Sequence, residues 1–140
     1  MTKQEFTRFL ASPRLARIST VEGTKPHTTP VWYLYDGVHF FVSTGMNTRK
    51  ARNIEKNPYV SLVIDESEGM FRHRCVIVEG KAELTRELHP ETTREIYARY
   101  LGKKGLDHPF AKDLLESDQI VLKITPSTVL SWDYTKAIQS

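Results

Sequence analysis

The sequence predicts a mainly β protein in which an antiparallel barrel is flanked by helices. Seven short segments are rich in β-branched and aromatic residues, and turn signals such as Asp36-Gly37 separate them. Three or four further segments have apolar residues at helical spacing. Short strands with turn signals between them are typical of closed or partly closed antiparallel barrels. Since 140 residues is an ordinary length for one domain, we expect residues 1–140 to form a single domain.

The N-terminal segment is predicted to be a short helix. Thr2 and Glu5 have the spacing of a capping box, in which each side chain accepts a hydrogen bond from the other residue's backbone N–H. Phe9 and Leu10 then share one face, and Pro13 ends the helix.

Two strands and a third close behind them are predicted next. Residues 15–21 and 27–35 have the composition of strands and are joined by a glycine-containing turn. Asp36-Gly37 is a two-residue turn signal that leads into a strand over residues 38–43. We therefore expect these three strands to be adjacent in the sheet.

Four more strands are predicted further along the chain. Residues 59–64 are nearly all apolar, which predicts a strand buried on both faces. In the long strand over residues 75–84, Gly80 indicates a bulge or a close approach of another backbone. A proline separates the last two predicted strands, residues 120–124 and 128–134.

Three helices are predicted after the first. One begins near Thr48 and stops at Asn57-Pro58, because the residue before a proline avoids the α region. The next begins at His89-Pro90 and ends at Gly102. A short helix follows at about residues 109–115.

The first turn of the second helix carries three basic residues, Arg49, Lys50 and Arg52. A cation there is penalised by roughly 0.3–1 kcal/mol, because the helix macrodipole is positive at its N-terminus. A bound anion would remove this penalty, since backbone N–H groups and guanidinium donors together hold phosphate. Nearby hydroxyls add further donors: Ser43, Thr44 and Thr48. We therefore predict an anion site here.

Composition narrows the class of protein. The 20 basic and 17 acidic residues are interleaved and the formal charge is +3, so we expect no nucleic-acid partner, although a nucleic-acid-binding barrel stays an alternative. A single cysteine excludes an intrachain disulfide, and the histidine spacing predicts no metal site. No signal sequence and no apolar run of roughly 18–20 residues is visible, which predicts a cytoplasmic protein without a membrane partner.

Six segments together resemble one known family. They are Thr-Thr-Pro-Val-Trp-Tyr at 28–33, Asp-Gly at 36–37, Val-Ser-Thr at 42–44, Thr-Arg-Lys-Ala-Arg-Asn-Ile-Glu-Lys-Asn-Pro at 48–58, Val-Ser-Leu at 60–62 and Val-Glu-Gly-Lys-Ala-Glu at 78–83. Their order resembles the pyridoxamine phosphate oxidase-like superfamily of flavin-binding proteins. The most specific part is the Arg-Lys pair with Pro58 eight residues later.

The resemblance implies an antiparallel, Greek-key-like split β-barrel of the FMN-binding type that forms a homodimer. FMN, or a related deazaflavin of the F-420 type, would lie at the dimer interface. Its phosphate would contact Arg49 and Lys50, together with Ser43 and Thr44 at the end of the preceding strand.

The resemblance also places the flavin ring. The ring would lie beside four residues of one strand: Pro30, Val31, Trp32 and Tyr33. Their backbone groups would face its pyrimidine edge. From the other subunit, the strand beginning Arg74-Cys75 would approach the ring or the phosphate.

The chain departs from true pyridoxamine phosphate oxidases at two places. Cys75 stands where those enzymes have a glutamine, and residues 131–136 lack the arginine of their substrate motif. Vitamin B6 oxidase activity is therefore not expected. Arg52-Asn53 resembles the branch that uses the F-420-type deazaflavin, so both cofactors stay open and the role of Arg52 depends on which one binds.

The predicted function is hydride transfer between bound FMN and a small organic substrate. Hydride transfer needs proximity and orientation more than acid–base groups, so no catalytic side chain is assigned. An F-420-type deazaflavin-dependent reductase is the alternative. A flavin-binding or sensor module without turnover is the alternative from another class.

Overall fold

The computed structural model describes residues 1–136, so residues 137–140 of the predicted domain lie outside it. The helices are α1 (Lys3–Ala11), α2 (Arg49–Lys56), α3 (Glu91–Gly105) and α4 (Pro109–Glu116). The strands are β1 (Ala16–Glu22), β2 (Lys25–Val31), β3 (Leu34–Tyr35), β4 (Phe40–Gly45), β5 (Tyr59–Ser67), β6 (His73–Thr85) and β7 (Gln119–Asp133). Within this range no helix combines the length and apolar character needed to cross a membrane.

The strands form one seven-stranded sheet in the order β2-β1-β5-β6-β7-β4-β3. Every pairing is antiparallel, as predicted. The sheet is open, because β2 and β3 are its two edges, so the fully closed form of the predicted barrel is wrong. Inward side chains of the central strands form the core: Ile18, Leu62, Ile64, Val76, Val78, Leu122 and Ile124.

The predicted strand over residues 27–35 is in fact two strands that lie at opposite edges of the sheet. The predicted first hairpin is confirmed, since β2 pairs with β1, but β3 pairs with β4 at the other edge, so the three predicted strands do not lie side by side. The chain leaves the ladder after β2, where the backbone N–H of Tyr33 donates to the Tyr100 hydroxyl at 3.1 Å. That partner is 67 residues away, so the local sequence pattern could not reveal it.

The turn at Asp36-Gly37 is longer than the predicted two residues. Tyr35 pairs with Phe40, so the loop covers residues 36–39. One Asp36 carboxylate oxygen accepts hydrogen bonds from the backbone N–H groups of Val38 and His39, at 2.8 and 2.6 Å. The carboxylate thereby accepts from two backbone N–H groups that, in a tighter turn, would have been paired with the backbone.

The two strands predicted at the C-terminal end form a single strand, β7, of 15 residues. Glu79 pairs with Thr128 and Gly80 with Pro126, so Ser127 is an extra residue in a β-bulge. A proline is tolerated inside a strand at such a bulge. In the sequence analysis, the same proline is interpreted as the boundary between two strands. The bulge predicted at Gly80 is confirmed.

Strand β5 is buried on one face only, which corrects the prediction of burial on both. Val60, Leu62 and Ile64 point into the core, whereas Tyr59 is exposed and Val63 is half-buried. On the second face of β5, no side chain is fully buried by residues 1–136.

The helix boundaries follow the predicted capping residues. Thr2 and Glu5 form the capping box of α1, with N···O distances of 3.1 and 3.2 Å. Thr48 is the N-cap of α2 and accepts from the Ala51 N–H at 3.3 Å. Gly102 interrupts α3 with a φ of 73°, in the left-handed region that favours glycine.

Candidate functional site

The basic residues at the start of α2 separate onto two faces of the helix. Successive residues of an α-helix are about 100° apart, so Arg49 and Arg52 share a side and Lys50 points elsewhere. Lys50 lines a cavity of about 330 Å³, which we call the Lys50 cavity, while Arg49 and Arg52 line a different one of about 190 Å³. The three charges therefore do not converge on one point.

The Lys50 cavity lies between the sheet and the two C-terminal helices. It is lined by Leu15, Pro30, Val31, Trp32, Ser43, Lys50, Ile96, Tyr97 and Leu114. Its walls are mainly apolar and aromatic with a few polar groups, which is the usual composition of a small-molecule site. It brings together Pro30, Val31, Trp32, Ser43 and Lys50 of the residues predicted from the sequence.

The ammonium group of Lys50 is half-buried at the wall of this cavity. Within residues 1–136, no carboxylate lies within 4.0 Å of it in an ion pair. Burial lowers the pKa of Lys50 below its usual value, because the charged form loses hydration. An anion in the cavity would restore a partner to this charge.

An aromatic wall closes the side of the cavity next to α3. The ring of Trp32 stacks on Tyr100, with centroids 4.6 Å apart, and is perpendicular to the ring of Tyr97, with centroids 5.7 Å apart. The Tyr100 hydroxyl accepts from the Tyr33 N–H and donates to the Arg14 carbonyl at 2.7 Å. These contacts hold the middle of α3 against the connection between β2 and β3.

Sequence reasoning did not assign four lining residues to the site: Leu15, Ile96, Tyr97 and Leu114. Ile96 and Tyr97 belong to the apolar face of α3, and such a face is ordinarily assigned to core packing. Only the position of α3 over β4 makes that face a cavity wall.

Among the predicted hydroxyl residues, Ser43 alone lines the cavity. The Ser43 Oγ lies 2.9 Å from the Thr93 hydroxyl and 3.3 Å from Gln119 Oε1. The Thr48 hydroxyl donates to the Gly45 carbonyl at 2.9 Å, and the buried Thr44 hydroxyl lies 3.2 Å from Thr48. Thr44 and Thr48 thus direct their hydroxyls to the cap of α2.

Tyr33 lies in the core rather than at the cavity. Its ring is fully buried, and its hydroxyl donates to the Leu10 carbonyl at 2.9 Å. Burial raises the pKa of Tyr33 to about 12. With its N–H donated to Tyr100, this residue has no free backbone donor for a ring.

The second cavity at α2 has mixed charge. Arg49 and Arg52 line it together with two acidic residues, one amide and a third basic residue: Glu22, Glu55, Asn53 and Lys56. One Arg49 guanidinium nitrogen lies 3.3 Å from a Glu22 carboxylate oxygen. Arg49 therefore already has an exposed ionic partner on β1.

Arg74 and Cys75 lie away from the Lys50 cavity of their own chain. Arg74 shares one Glu66 carboxylate oxygen with Arg14, at 2.5 and 2.8 Å, and lines a separate cavity of about 360 Å³. Cys75 is 2% exposed, and burial together with Asp65 raises the pKa of its thiol to about 11. In residues 1–136, no group of three or more His, Cys, Asp or Glu side chains is placed to hold a metal ion.

Comparison with known proteins gives consistent matches over most of the chain. A family model described as pyridoxamine 5'-phosphate oxidase matches residues 2–133. General stress protein 26 of Bacillus subtilis (strain 168) is 26% identical over 129 residues, which cover 91% of this chain and 85% of that protein.

Solved structures show the same fold. The conserved hypothetical protein Rv2991 from Mycobacterium tuberculosis superposes with a TM-score of 0.82 at 26% identity, over 98% of this chain and 88% of that chain. A structure described as an F420 reductase superposes with a TM-score of 0.71 at 22% identity, over 88% of this chain and 94% of that chain.

Proposed function

The chain belongs to the pyridoxamine 5'-phosphate oxidase family, and from this premise we propose that it is a flavin-dependent oxidoreductase that binds FMN at the Lys50 cavity. The observation that carries the proposal is the half-buried Lys50 ammonium, which has no carboxylate partner within residues 1–136 and lies in an aromatic-walled cavity. A phosphate matches the ammonium, and the apolar walls match an aromatic ring system.

Bound FMN would supply the hydride chemistry. The residues of this chain would hold and orient it: Lys50 as the partner of the phosphate, and Trp32 and Tyr97 as apolar walls beside the ring. No acid or base of the protein needs to act, since orientation alone can lower the barrier to hydride transfer by several kcal/mol. The substrate is a small organic molecule.

The same proposal includes a homodimer. The cavity, at about 330 Å³, is near the lower end of ligand-site volumes, so a ligand as large as FMN would extend beyond it. A second copy would complete the site, and Arg74 and Cys75 of that copy are the residues assigned to it by the family resemblance.

An apolar strip on the outer face of the sheet is the surface that a second copy would cover. Val63 pairs with Ile77, and Ile77 pairs with Leu130, so the three side chains are cross-strand neighbours on this face. Leu130 is 53% exposed in the single chain.

Sedimentation should give twice the chain mass of 16.1 kDa, and Leu130→Glu should shift the protein toward the monomer. A monomer at micromolar concentration in the unsubstituted protein would contradict the two-chain site.

The second candidate is an F-420-type deazaflavin-dependent reductase. The observation that favours it is the second cavity on α2, lined by Arg49 and Arg52, whose basic side chains would meet a longer anionic tail. A solved structure with this fold is described as an F420 reductase.

Ligand binding tests the proposal. FMN, riboflavin and the F-420-type deazaflavin are titrated into purified protein, and the shift in melting temperature is measured with each. Ligand at a hundredfold over its Kd should stabilise the protein by about 2.7 kcal/mol. Lys50→Met should weaken FMN at least tenfold and riboflavin much less, whereas Lys25→Met, at the exposed first residue of β2, is the control that should change neither.

Two results separate the alternatives. Tighter binding of the deazaflavin, lost in Arg52→Met, would replace FMN with that cofactor. Binding without turnover in assays with NAD(P)H and quinone-like acceptors would replace the enzyme with a flavin-binding module. Absence of any flavin binding would overturn the proposed function altogether.

A further inference from the structure

A chain of hydrogen bonds begins at the wall of the Lys50 cavity and runs through four structural elements. Ser43 on β4 contacts Thr93 on α3 in one direction and Gln119 on β7 in the other. The chain continues from Thr93 to His89 Nδ1 at 2.9 Å, and from Gln119 to Ser117 at 3.0 Å. Thr93 is fully buried and Gln119 is 9% exposed, so solvent does not compete for their polar groups.

The donor and the acceptor of each of these hydrogen bonds can be assigned, starting from the end of α4. The Ser117 hydroxyl donates to the Leu114 carbonyl at 2.7 Å, and a carbonyl can only accept. Because this uses the one proton of Ser117, the Gln119 amide must donate its N–H to Ser117, which turns Gln119 Oε1 toward Ser43. The Ser43 hydroxyl then donates to Oε1 at 3.3 Å.

The same count of hydroxyl protons assigns the donors in the hydrogen bonds of Thr93 and His89. The proton of Ser43 is already donated, so in the 2.9 Å contact with Thr93 the Thr93 hydroxyl is the donor. Thr93 can then only accept in its contact with His89. The neutral His89 ring therefore carries its proton on Nδ1 and leaves Nε2 as the acceptor.

We propose that this series of hydrogen bonds makes Ser43 a hydrogen-bond acceptor for the ligand of the Lys50 cavity, with Thr93 and His89 as positioning residues. A serine oxygen has two acceptor sites, and Thr93 occupies one. The other is available to the cavity that Ser43 lines. The ligand would thus present a hydroxyl or N–H to Ser43 and its anionic group to Lys50.

This inference changes the role expected for Ser43. The sequence-based expectation made Ser43 a phosphate contact, but a phosphate offers acceptors and would meet an acceptor there. A polyhydroxylated chain that ends in a phosphate carries both required groups. Only this identification of the ligand rests on the proposed function; the direction of the hydrogen bonds does not.

The proton on His89 tests the direction without any ligand. Nitrogen-15 NMR of the neutral imidazole rings, recorded at alkaline pH, should show Nδ1 of His89 protonated and Nε2 unprotonated. His89→Gln assigns the signals. Thr93→Val should return His89 to the Nε2–H form usual in water, and Thr93→Ser should retain the Nδ1–H form. A proton on Nε2 in the unsubstituted protein would overturn the inference.

Flavin binding tests the acceptor role. FMN and riboflavin share the hydroxylated chain and differ in the phosphate, so Ser43→Ala should weaken both by the same factor, about three- to tenfold for one hydrogen bond. Loss confined to FMN, or no loss for either flavin, would overturn the role. If neither flavin binds the unsubstituted protein, the proposed function fails. The NMR signals of His89 would still decide the direction of the hydrogen bonds.

Discussion

The indole ring of Trp32 lies parallel to the phenol ring of Tyr100, with centroids 4.6 Å apart and an interplanar angle of 5°. This stack joins the end of β2 to the middle of α3, two segments far apart in the sequence. The Tyr100 hydroxyl adds hydrogen bonds to Tyr33 and Arg14 in the same region. Tyr100 thus supports the aromatic wall of the Lys50 cavity although it does not itself line the cavity.

Removing the Tyr100 hydroxyl should destabilise the protein without removing the stack. Tyr100→Phe leaves the Tyr33 N–H and the Arg14 carbonyl without their partner, and an unsatisfied buried polar group costs about 1–3 kcal/mol. Urea unfolding measures the free energy. Tyr134→Phe, on a ring that is 50% exposed, is the matched control and should change it by less than about 0.5 kcal/mol. Equal effects of the two variants would contradict the importance of the Tyr100 hydroxyl.

The bulge between β6 and β7 should not tolerate a side chain at position 80. A Cβ on Gly80 would lie 2.1 Å from the Thr125 carbonyl oxygen and 3.1 Å from Pro126 Cα, and backbone atoms cannot move aside cheaply. Gly80→Ala should therefore lower the free energy of unfolding by at least about 2 kcal/mol.

Gly45→Ala is the control for position 80, because its Cβ would meet only the Thr48 methyl group, at 3.4 Å. Thermal unfolding of the two variants compares them directly. A Gly80→Ala protein as stable as Gly45→Ala would mean that the close approach of the strands is wrong.

The thiol of Cys75 should be unreactive at mildly alkaline pH. Because burial and Asp65 raise its pKa to about 11, its thiolate fraction at pH 8 is about 200-fold below that of an ordinary cysteine. Iodoacetamide labelling followed by mass spectrometry should be at least that much slower than in urea-unfolded protein. The raised pKa also means that this thiol favours the folded state below pH 8.5 and loses that contribution as pH rises toward 11. Rapid labelling of the native protein would contradict the burial.

The contact between Glu5 and Lys136 should make stability depend on acid pH. The Lys136 ammonium, with Thr2, lowers the pKa of Glu5 from 4.5 to about 2. A carboxyl with a lowered pKa in the folded state stabilises it above pH 4.5, and this contribution is lost as pH falls toward 2.

Urea unfolding at several pH values between 6 and 2 checks the Glu5 prediction. Glu5→Gln should remove part of the loss of stability over that range, whereas Glu87→Gln, at an exposed position, should leave the pH profile unchanged. Identical profiles for Glu5→Gln and the unsubstituted protein would show that the ion pair does not form in solution.

Features that depend on neighbouring residues were predictable from the sequence. The capping box at Thr2 and Glu5, the N-cap at Thr48 and the bulge at Gly80 all have the predicted positions. Each follows from the chemistry of a few adjacent residues, namely side-chain oxygens that replace missing backbone partners and a glycine where no Cβ fits. The segments that resemble the family also identified it, because they preserve the order of these local features.

Features that depend on distant partners were not predictable. Trp32 and Tyr33 are predicted in the middle of one strand, yet β2 ends before them, the Tyr33 N–H donates to a hydroxyl from α3, and β3 lies at the opposite edge of the sheet. The continuity of β7 through Pro126 likewise depends on its pairing with β6.

The candidate site divides in the same way. The sequence by itself determined that cations and hydroxyls cluster at the start of α2, since that follows from residue type and helix position. Only the tertiary structure decided that Lys50 lines the cavity while Arg49 and Arg52 do not, because helix packing selects which face meets the sheet. It also decided to which group the Ser43 hydroxyl donates, because folding brings the members of its hydrogen-bond network together from three other elements.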